Sequence, residues 1–389
     1  MYSHMTSAVY IVYGLIAVNL VFAVVLYGIK FRNVKQQKAH ERFHKKFKDY
    51  LIYIQANIDS EERLRVPPGR MNRLEFNLLQ ERLNDMIESF AGEQREKLID
   101  LCGQIGFPTY HLQRLRGRSY RRKIDAAYHL GCMRVKEAVP AMLELLRRHK
   151  ADSSLFVIAR AIAKCAQDPK DIKDMVHILL SKGRSIPDLI ADMIEESSID
   201  QTALFAQFIQ SGQPELIRIG LVGLKAYTAP EMAAAVYRLM DSSNKEIERK
   251  SIEIYLNSTV FLPANVVNRL LGHADAEIRL LTVQALSEHR NSAYAGALRN
   301  GLKDPDPRVV HASANGLLRM GEKGMLLFCE AAKDSRDSGE GTVLQDMIEE
   351  ELHSLSARTQ NVNYLTQYNA LLYAYERTFG KNKRIYRVV

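Results

Sequence analysis

The feature that most constrains this chain is a repeat of 31 residues in its second half. Phe205, Val236, Val267 and Leu298 fall on one column, and Ile209, Met240, Leu271 and Leu302 on a second. Leu216, Ile247, Ile278 and Val309 make a third, and Leu224, Tyr255, Leu286 and Leu317 a fourth. A unit recurring at a period of about 20–50 residues cannot bury its apolar face alone, so its copies stack. Stacked arrays present long surfaces to partners, which favours binding over catalysis.

The register extends towards the N-terminus. Leu155 and Ala163 lie 31 residues before Ile186 and Ile194. EAVPAMLELL (137–146) is echoed by DIKDMVHILL (171–180), pairing Val139 with Ile172 and Met142 with Met175. This spacing predicts about six units between Ser119 and Lys333. Each has an outer helix with an apolar pair four apart, as at Val267 and Leu271, then a turn, then an inner helix. Gln213, Asn244, Asp275 and Asp306 share the turn position, where a side-chain oxygen caps the next helix. The apolar residues at inner-helix positions one and nine share nearly one face.

GHADAEIRLLTVQALSEH (272–289) and KDPDPRVVHASANGLLRMG (303–321) resemble HEAT-type repeats of the short, phycobilisome-lyase-like class. There an Asp- and Pro-rich turn leads into a helix with a Val-Arg pair, two small residues and Leu-Gly. Ile278-Arg279 matches the pair, whereas Val309-Val310 lacks the Arg and Leu317-Leu318 the Gly. The resemblance covers a little over half of the chain. It implies an all-α fold, an α-solenoid of HEAT-like helical hairpins. The ankyrin and TPR signatures are absent. Neither the His-Glu pairs of HEAT-like hydroxylases nor any mark of a pigment site occurs in the repeats, so no cofactor or metal is expected.

Helical periodicity also marks the flanks. Residues 71–118 are expected to form a helical N-terminal cap, with Leu74, Phe76, Leu78, Leu79, Leu83 and Met86 at its start and Gly106-Phe107-Pro108 closing it. Residues 334–389 are expected to form a C-terminal cap: a polar loop at 334–342, helices over Val343–Ala357 and Asn361–Thr378, and a basic tail, KNKRIYRVV.

Ala8–Ile29 has 22 residues and no charge. As a helix it would rise about 33 Å, against a hydrocarbon core of about 30 Å. This predicts a single transmembrane helix before the solenoid. The net charge of +9 is concentrated behind it, in Lys30, Arg32, Lys35, Lys38, Arg42, Lys45, Lys46 and Lys48, opposed by Glu41 alone. The positive-inside rule then predicts a single-pass protein of the cell membrane, with its N-terminus outside and the bulk of the chain cytoplasmic. Residues 30–70 read as a basic juxtamembrane segment and linker ended by Pro67-Pro68-Gly69, and FKDYLIYIQANI (47–58) as a short helix within it.

The four cysteines form no CxxC pair and read as small buried hydrophobes. No phosphate loop, nucleophile elbow or HExxH motif is present. One cluster invites function: Arg114, Arg116, Arg118, Arg121, Arg122 and Lys123, near Tyr110, His111 and Tyr120. It reads either as an anion or partner contact or as a solvated connector paired to acidic neighbours. The expected function is a non-enzymatic membrane-anchored scaffold that binds a protein partner, itself membrane-associated, as in an accessory subunit of a polysaccharide synthase or transporter. Inner-leaflet anionic lipids are a second expected contact; nucleic acid is not expected. The alternatives are binding of an anion, a lipid headgroup or nucleic acid, through Arg114–Lys123, and an enzyme whose unrecognised site lies in the flanking helices.

Overall fold

A computed structural model describes residues 2–148, 152–224, 233–259, 261–335 and 340–380; side chains are described from Asn19 onward, except at 32–33, 35–40 and 340. The described residues are all-helical, with no strand among them. The order begins α1 (Tyr2–Asn57), α2 (Arg73–Ser89), α3 (Gly92–Ile105), α4 (Phe107–Leu115), α5 (Tyr120–Cys132), α6 (Val139–Arg148), α7 (Ser154–Cys165), α8 (Pro169–Ser181) and α9 (Pro187–Glu195). It continues with α10 (Gln201–Ile209), α11 (Pro214–Leu224), α12 (Ala233–Tyr237), α13 (Lys245–Ser258), α14 (Ala264–Leu271), α15 (Ala276–Glu288), α16 (Ala295–Gly301) and α17 (Pro307–Arg319). The last are α18 (Gly321–Asp334), α19 (Glu340–Ser356) and α20 (Val362–Phe379). The chain divides into two compact units, Met1–Ser185 with Met193–Ile199, and Ile186–Asp192 with Asp200–Val389.

In the second unit the 31-residue columns become a core. α10 pairs with α11, α12 with α13, α14 with α15 and α16 with α17, while α11, α13, α15 and α17 stack in succession. Phe205, Val236, Val267 and Leu298 are buried, as are Leu216, Ile247, Ile278 and Val309, and Leu224, Tyr255, Leu286 and Leu317. The remaining column slips at one place, where Leu270 is buried and Leu271 only half-buried. Three of the four anticipated caps form: Asn244 accepts from the N–H groups of Glu246 and Ile247, Asp275 from Glu277, and Asp306 from Arg308. Gln213 keeps its place before Pro214 but makes no side-chain capping bond among the described residues, and Gln is not among the favoured capping residues.

Ion pairs tie these stacked helices together. Arg218 reaches Glu246 at 3.1 Å and Arg249 reaches Glu277 at 3.7 Å, and Glu277 also receives Arg308 at 2.5 Å. The Arg of the Ile278-Arg279 pair clasps Asp304 of the next turn through two bonds of 2.7 and 2.9 Å and donates to the carbonyl of His273. Both side chains of this clasp are about nine-tenths buried, so it is shielded from water where the ladder is not.

In the first unit α5 packs on α7, and α6 on α8, continuing the hairpin pattern. Gly131 permits the closest approach: a Cβ there would stand 2.8 Å from the Cα of Ala161. Arg134, just beyond α5, and Arg290, just beyond α15, adopt the left-handed conformation, with φ of 52° and 47°. Gly106, at φ 93°, ends α3, and α4 starts at once behind it, so the helical cap contains a helix where the sequence suggested a close.

The expected transmembrane helix over Ala8–Ile29 is corrected. Among the described residues no helix is long and apolar enough to cross a membrane. The apolar run is not an element of its own but the opening of α1, which continues unbroken through the basic residues to Asn57. The side chains of residues 8–18 lie outside the described residues. Asn19–Ile29, where side chains are described, would rise about 16 Å as a helix, half of a hydrocarbon core. The single-pass placement at the cell membrane, with the bulk of the chain cytoplasmic, rested on that span and falls with it.

The second half of α1 is a docked helix. Phe43, Phe47, Tyr50, Ile54 and Ile58 recur at helical spacing and are buried. Lys46 pairs with Glu75 of α2 at 2.9 Å, and the Tyr50 hydroxyl donates to the Arg65 carbonyl at 2.8 Å. Lys30, Arg42, Lys45 and Lys48 are exposed; the side chains of Arg32, Lys35 and Lys38 lie outside the described residues, as does the tail at 381–389.

Two outcomes test this packing by thermal or denaturant unfolding. Gly131→Ala should destabilise by about 1–3 kcal/mol although alanine favours helix, because the backbone of α7 blocks its methyl. Asp304→Ala, which strands the buried Arg279, should lose about 3 kcal/mol, and Arg308→Ala, on the exposed ladder, far less.

Candidate functional site

The basic cluster occupies the corner where α4 turns into α5. Arg114 lies in the last turn of α4, Arg116 and Arg118 in the connection, and Arg121, Arg122 and Lys123 in the first turn of α5. Gly117 lets the connection tighten, its N–H bonding the Arg114 carbonyl at 3.0 Å. Ser119, at the N-cap, makes no side-chain capping bond. Three cations therefore stand at the positive end of the helix dipole with no capping oxygen, an arrangement that opposes stability.

The six residues are not equivalent. Arg114 is three-quarters buried, pairs with Asp125 of α5 at 2.7 Å and lies over the Tyr110 ring at 5.4 Å. Arg116, Arg118, Arg121 and Arg122 are exposed and Lys123 is half-buried. Among the described residues none of these five makes an ion pair, so the reading of a connector paired to acidic neighbours applies to Arg114 alone. Tyr120 bonds through its hydroxyl to that of Ser154 at 2.7 Å, tying the corner to α7.

Beneath the corner is a polar cluster that the sequence did not reveal. The second oxygen of Asp125 faces His129 Nε2 at 3.6 Å, and His129 Nδ1 accepts from the Asn84 amide at 2.8 Å. His111 Nε2 donates to Gln80 Oε1 at 2.9 Å, and the two imidazole centroids are 4.6 Å apart. Hydrogen bonding from His129, then the charges of His129 and Arg114, holds the Asp125 carboxyl below its ordinary range, against its partial burial. Burial, the charge of His129 and that of Arg114 push His111 down to about 3. The one sequence signal was Gln80 and Asn84, two amides four apart among Leu79, Leu83 and Ile87 on the buried face of α2.

Other groups bear on chemistry less. All four cysteines are free and buried, and burial pushes each thiol up to about 12, against the nucleophilic thiolate form. No group of His, Cys, Asp and Glu among the described residues is arranged to hold a metal ion. A groove of about 640 Å³ lies between α1 and α2, lined by Phe43, Leu51, Leu78 and the acidic Glu41, Glu81 and Asp85.

No protein-family profile matches the chain, and no curated protein does. Among solved structures, the X-ray structure of the E. coli protein YibA is similar at 13% identity and a TM-score of 0.32, over 64% of this chain and 98% of that one. An engineered protein is similar at 14% identity and a TM-score of 0.17, over 70% and 97%. Likenesses this low carry no argument about function.

The pairing pattern predicts a separation of roles in unfolding experiments. Replacing Arg116, Arg118, Arg121 and Arg122 together by Ser should leave stability within about 1 kcal/mol of the parent, since none has a partner to lose. Asp125→Ala should cost about 1–2 kcal/mol at neutral pH, as it strands Arg114. The Asp125 contribution is present above the unfolded carboxyl value of about 3.9 and lost as pH falls through its lowered folded value.

Proposed function

We propose that this chain is a non-enzymatic binding protein, a scaffold of short HEAT-type helical repeats, that docks an acidic segment of a protein partner on the corner formed by Arg116, Arg118, Arg121 and Arg122. The observation that carries this reading is the clustering of unpaired charge; Arg238, Arg290 and Arg319 of the second unit also make no ion pair among the described residues, but they stand far apart in the chain. In the second unit Arg218, Arg249, Arg269, Arg279, Arg299 and Arg308 each meet a carboxylate of a neighbouring helix or turn. At the α4–α5 corner four guanidinium groups within seven residues have none among the described residues. Like charges held together at a helix N-terminus repel one another and the dipole, so an anionic partner relieves what the fold itself leaves uncompensated.

Arginine suits the role because its planar fork binds carboxylates bidentately and remains charged at any physiological pH. A compact acidic segment fits better than a nucleic-acid duplex, which needs cations spaced along a phosphate track. Here the corner is bounded by Asp125. The repeated hairpins supply the rigid support that a recognition turn requires.

Titration with a labelled polyaspartate peptide tests this. The full chain should bind it, with affinity falling as salt rises from about 50 to about 200 mM. The fourfold Ser variant should bind about tenfold more weakly or worse. Equal binding by parent and variant, or stronger binding to anionic lipid vesicles or to an oligonucleotide of equal charge, overturns the proposal.

A further inference from the structure

The polar cluster beneath the corner has a property that the exposed arginines do not explain. His111 is fully buried on α4, and Gln80 and Asn84 are buried on α2. Each retains one polar atom without a hydrogen-bond partner: His111 Nδ1, Gln80 Nε2 and Asn84 Oδ1. The Gln80 oxygen fixes the His111 proton on Nε2, so a neutral His111 keeps a bare, buried Nδ1. Such a nitrogen takes up a proton as soon as the site admits the charge. The site does not admit it while closed. From its own helix His111 meets Tyr110 and Arg114, and from α5 it meets His129 and Asp125. The cluster's members on α2 are the uncharged amides of Gln80 and Asn84. Asp125 is the single anion among these groups and is already held by Arg114 at 2.7 Å.

We propose that this cluster is an acid-released latch: protonation of His111 separates α4 from α2 and thereby dismantles the α4–α5 turn that presents Arg116, Arg118, Arg121 and Arg122. α4 is suited to such release. It has nine residues, too few to be stable as a helix on its own, and is held by packing against its neighbours. The direction follows from linkage. In the closed form His111 is pushed down to about 3, whereas an exposed histidine titrates near an ordinary value of about 6.5. The closed form is therefore fully favoured above about pH 6.5, and its advantage falls by up to about tenfold per pH unit as pH drops towards about 3. Acid would otherwise strengthen anion binding by adding positive charge to the histidines. Loss of binding in acid is thus the distinguishing sign.

Hydrogen exchange on the full chain, corrected for intrinsic rates, tests the latch directly. Between about pH 7.5 and about pH 5.5, amides of α4 and early α5 should lose about tenfold protection in all relative to those of α7 and α8, nearly all of it below about pH 6.5. His111→Gln keeps a donor for Gln80 but takes up no proton, and it should flatten that difference. A flat profile in the parent, or an unchanged slope in the variant, overturns the latch. Should His111→Gln fail to fold, Asn84→Asp reads the same device: a carboxylate in the cluster offsets the proton, so opening should begin at lower pH, and an unchanged onset overturns the proposal. The functional arm rests on the reading of the corner as a binding site. Polyaspartate binding should weaken in the parent over the pH range in which exchange shows α4 predominantly open, and not in His111→Gln, the peptide remaining charged throughout. If the parent never binds the peptide at about pH 7.5, the proposed function fails while the exchange profile still decides the latch.

Discussion

The fold depends on burial between neighbours. No hairpin here can hide its apolar face by itself, and each is completed by the next, as the buried positions Leu216, Ile247, Ile278 and Val309 record. Everything polar is arranged around that constraint. The caps at Asn244, Asp275 and Asp306 finish helices whose ends must turn within a few residues. The Arg279–Asp304 clasp fixes how far one turn stands from the helix beside it. At the α4–α5 turn Arg116, Arg118, Arg121 and Arg122 point away from that burial and make no ion pair among the described residues, and there charge is left unbalanced.

The repeat was legible because burial imposes a strict period on apolar residues, and a period survives even where individual motif residues are lost. Val310 stands where an Arg would be expected, and Leu318 where a Gly would, yet the columns through Val309 and Leu317 hold. Caps were legible for the same reason, since Asn and Asp act locally and keep their place in the period. The single slip, Leu270 for Leu271, shows the precision of such reading: a helix face is broad enough that a one-residue shift remains buried.

What sequence could not show was pairing across long separations. Nothing in the composition of residues 30–48 distinguishes Lys46, bound to Glu75 of another helix, from its exposed neighbours. The apolar run of Ala8–Ile29 suggested an independent span because hydropathy reads windows, whereas the helix it belongs to ends only at Asn57. The arginine corner was visible as composition, but which arginine was free was not; Arg114 differs from Arg116 only because Asp125 lies across the turn. His111 and His129 meet because two helices run side by side, and eighteen residues of sequence separate them.

The left-handed turns after α5 and α15 carry an arginine where glycine would be relaxed, and a third turn at Gly321, 31 residues after Arg290, has the relaxed choice. At Arg134 the reason is visible. Its guanidinium donates to Ser198 Oγ at 3.0 Å and to the Glu196 carbonyl at 3.3 Å, so the residue that bears the backbone strain is also the strap across to that segment. Glycine would ease the turn by about 1–2 kcal/mol and cut the strap. The joint after α5 is thereby made a strut rather than a hinge, and rigidity at that point is bought with local discomfort.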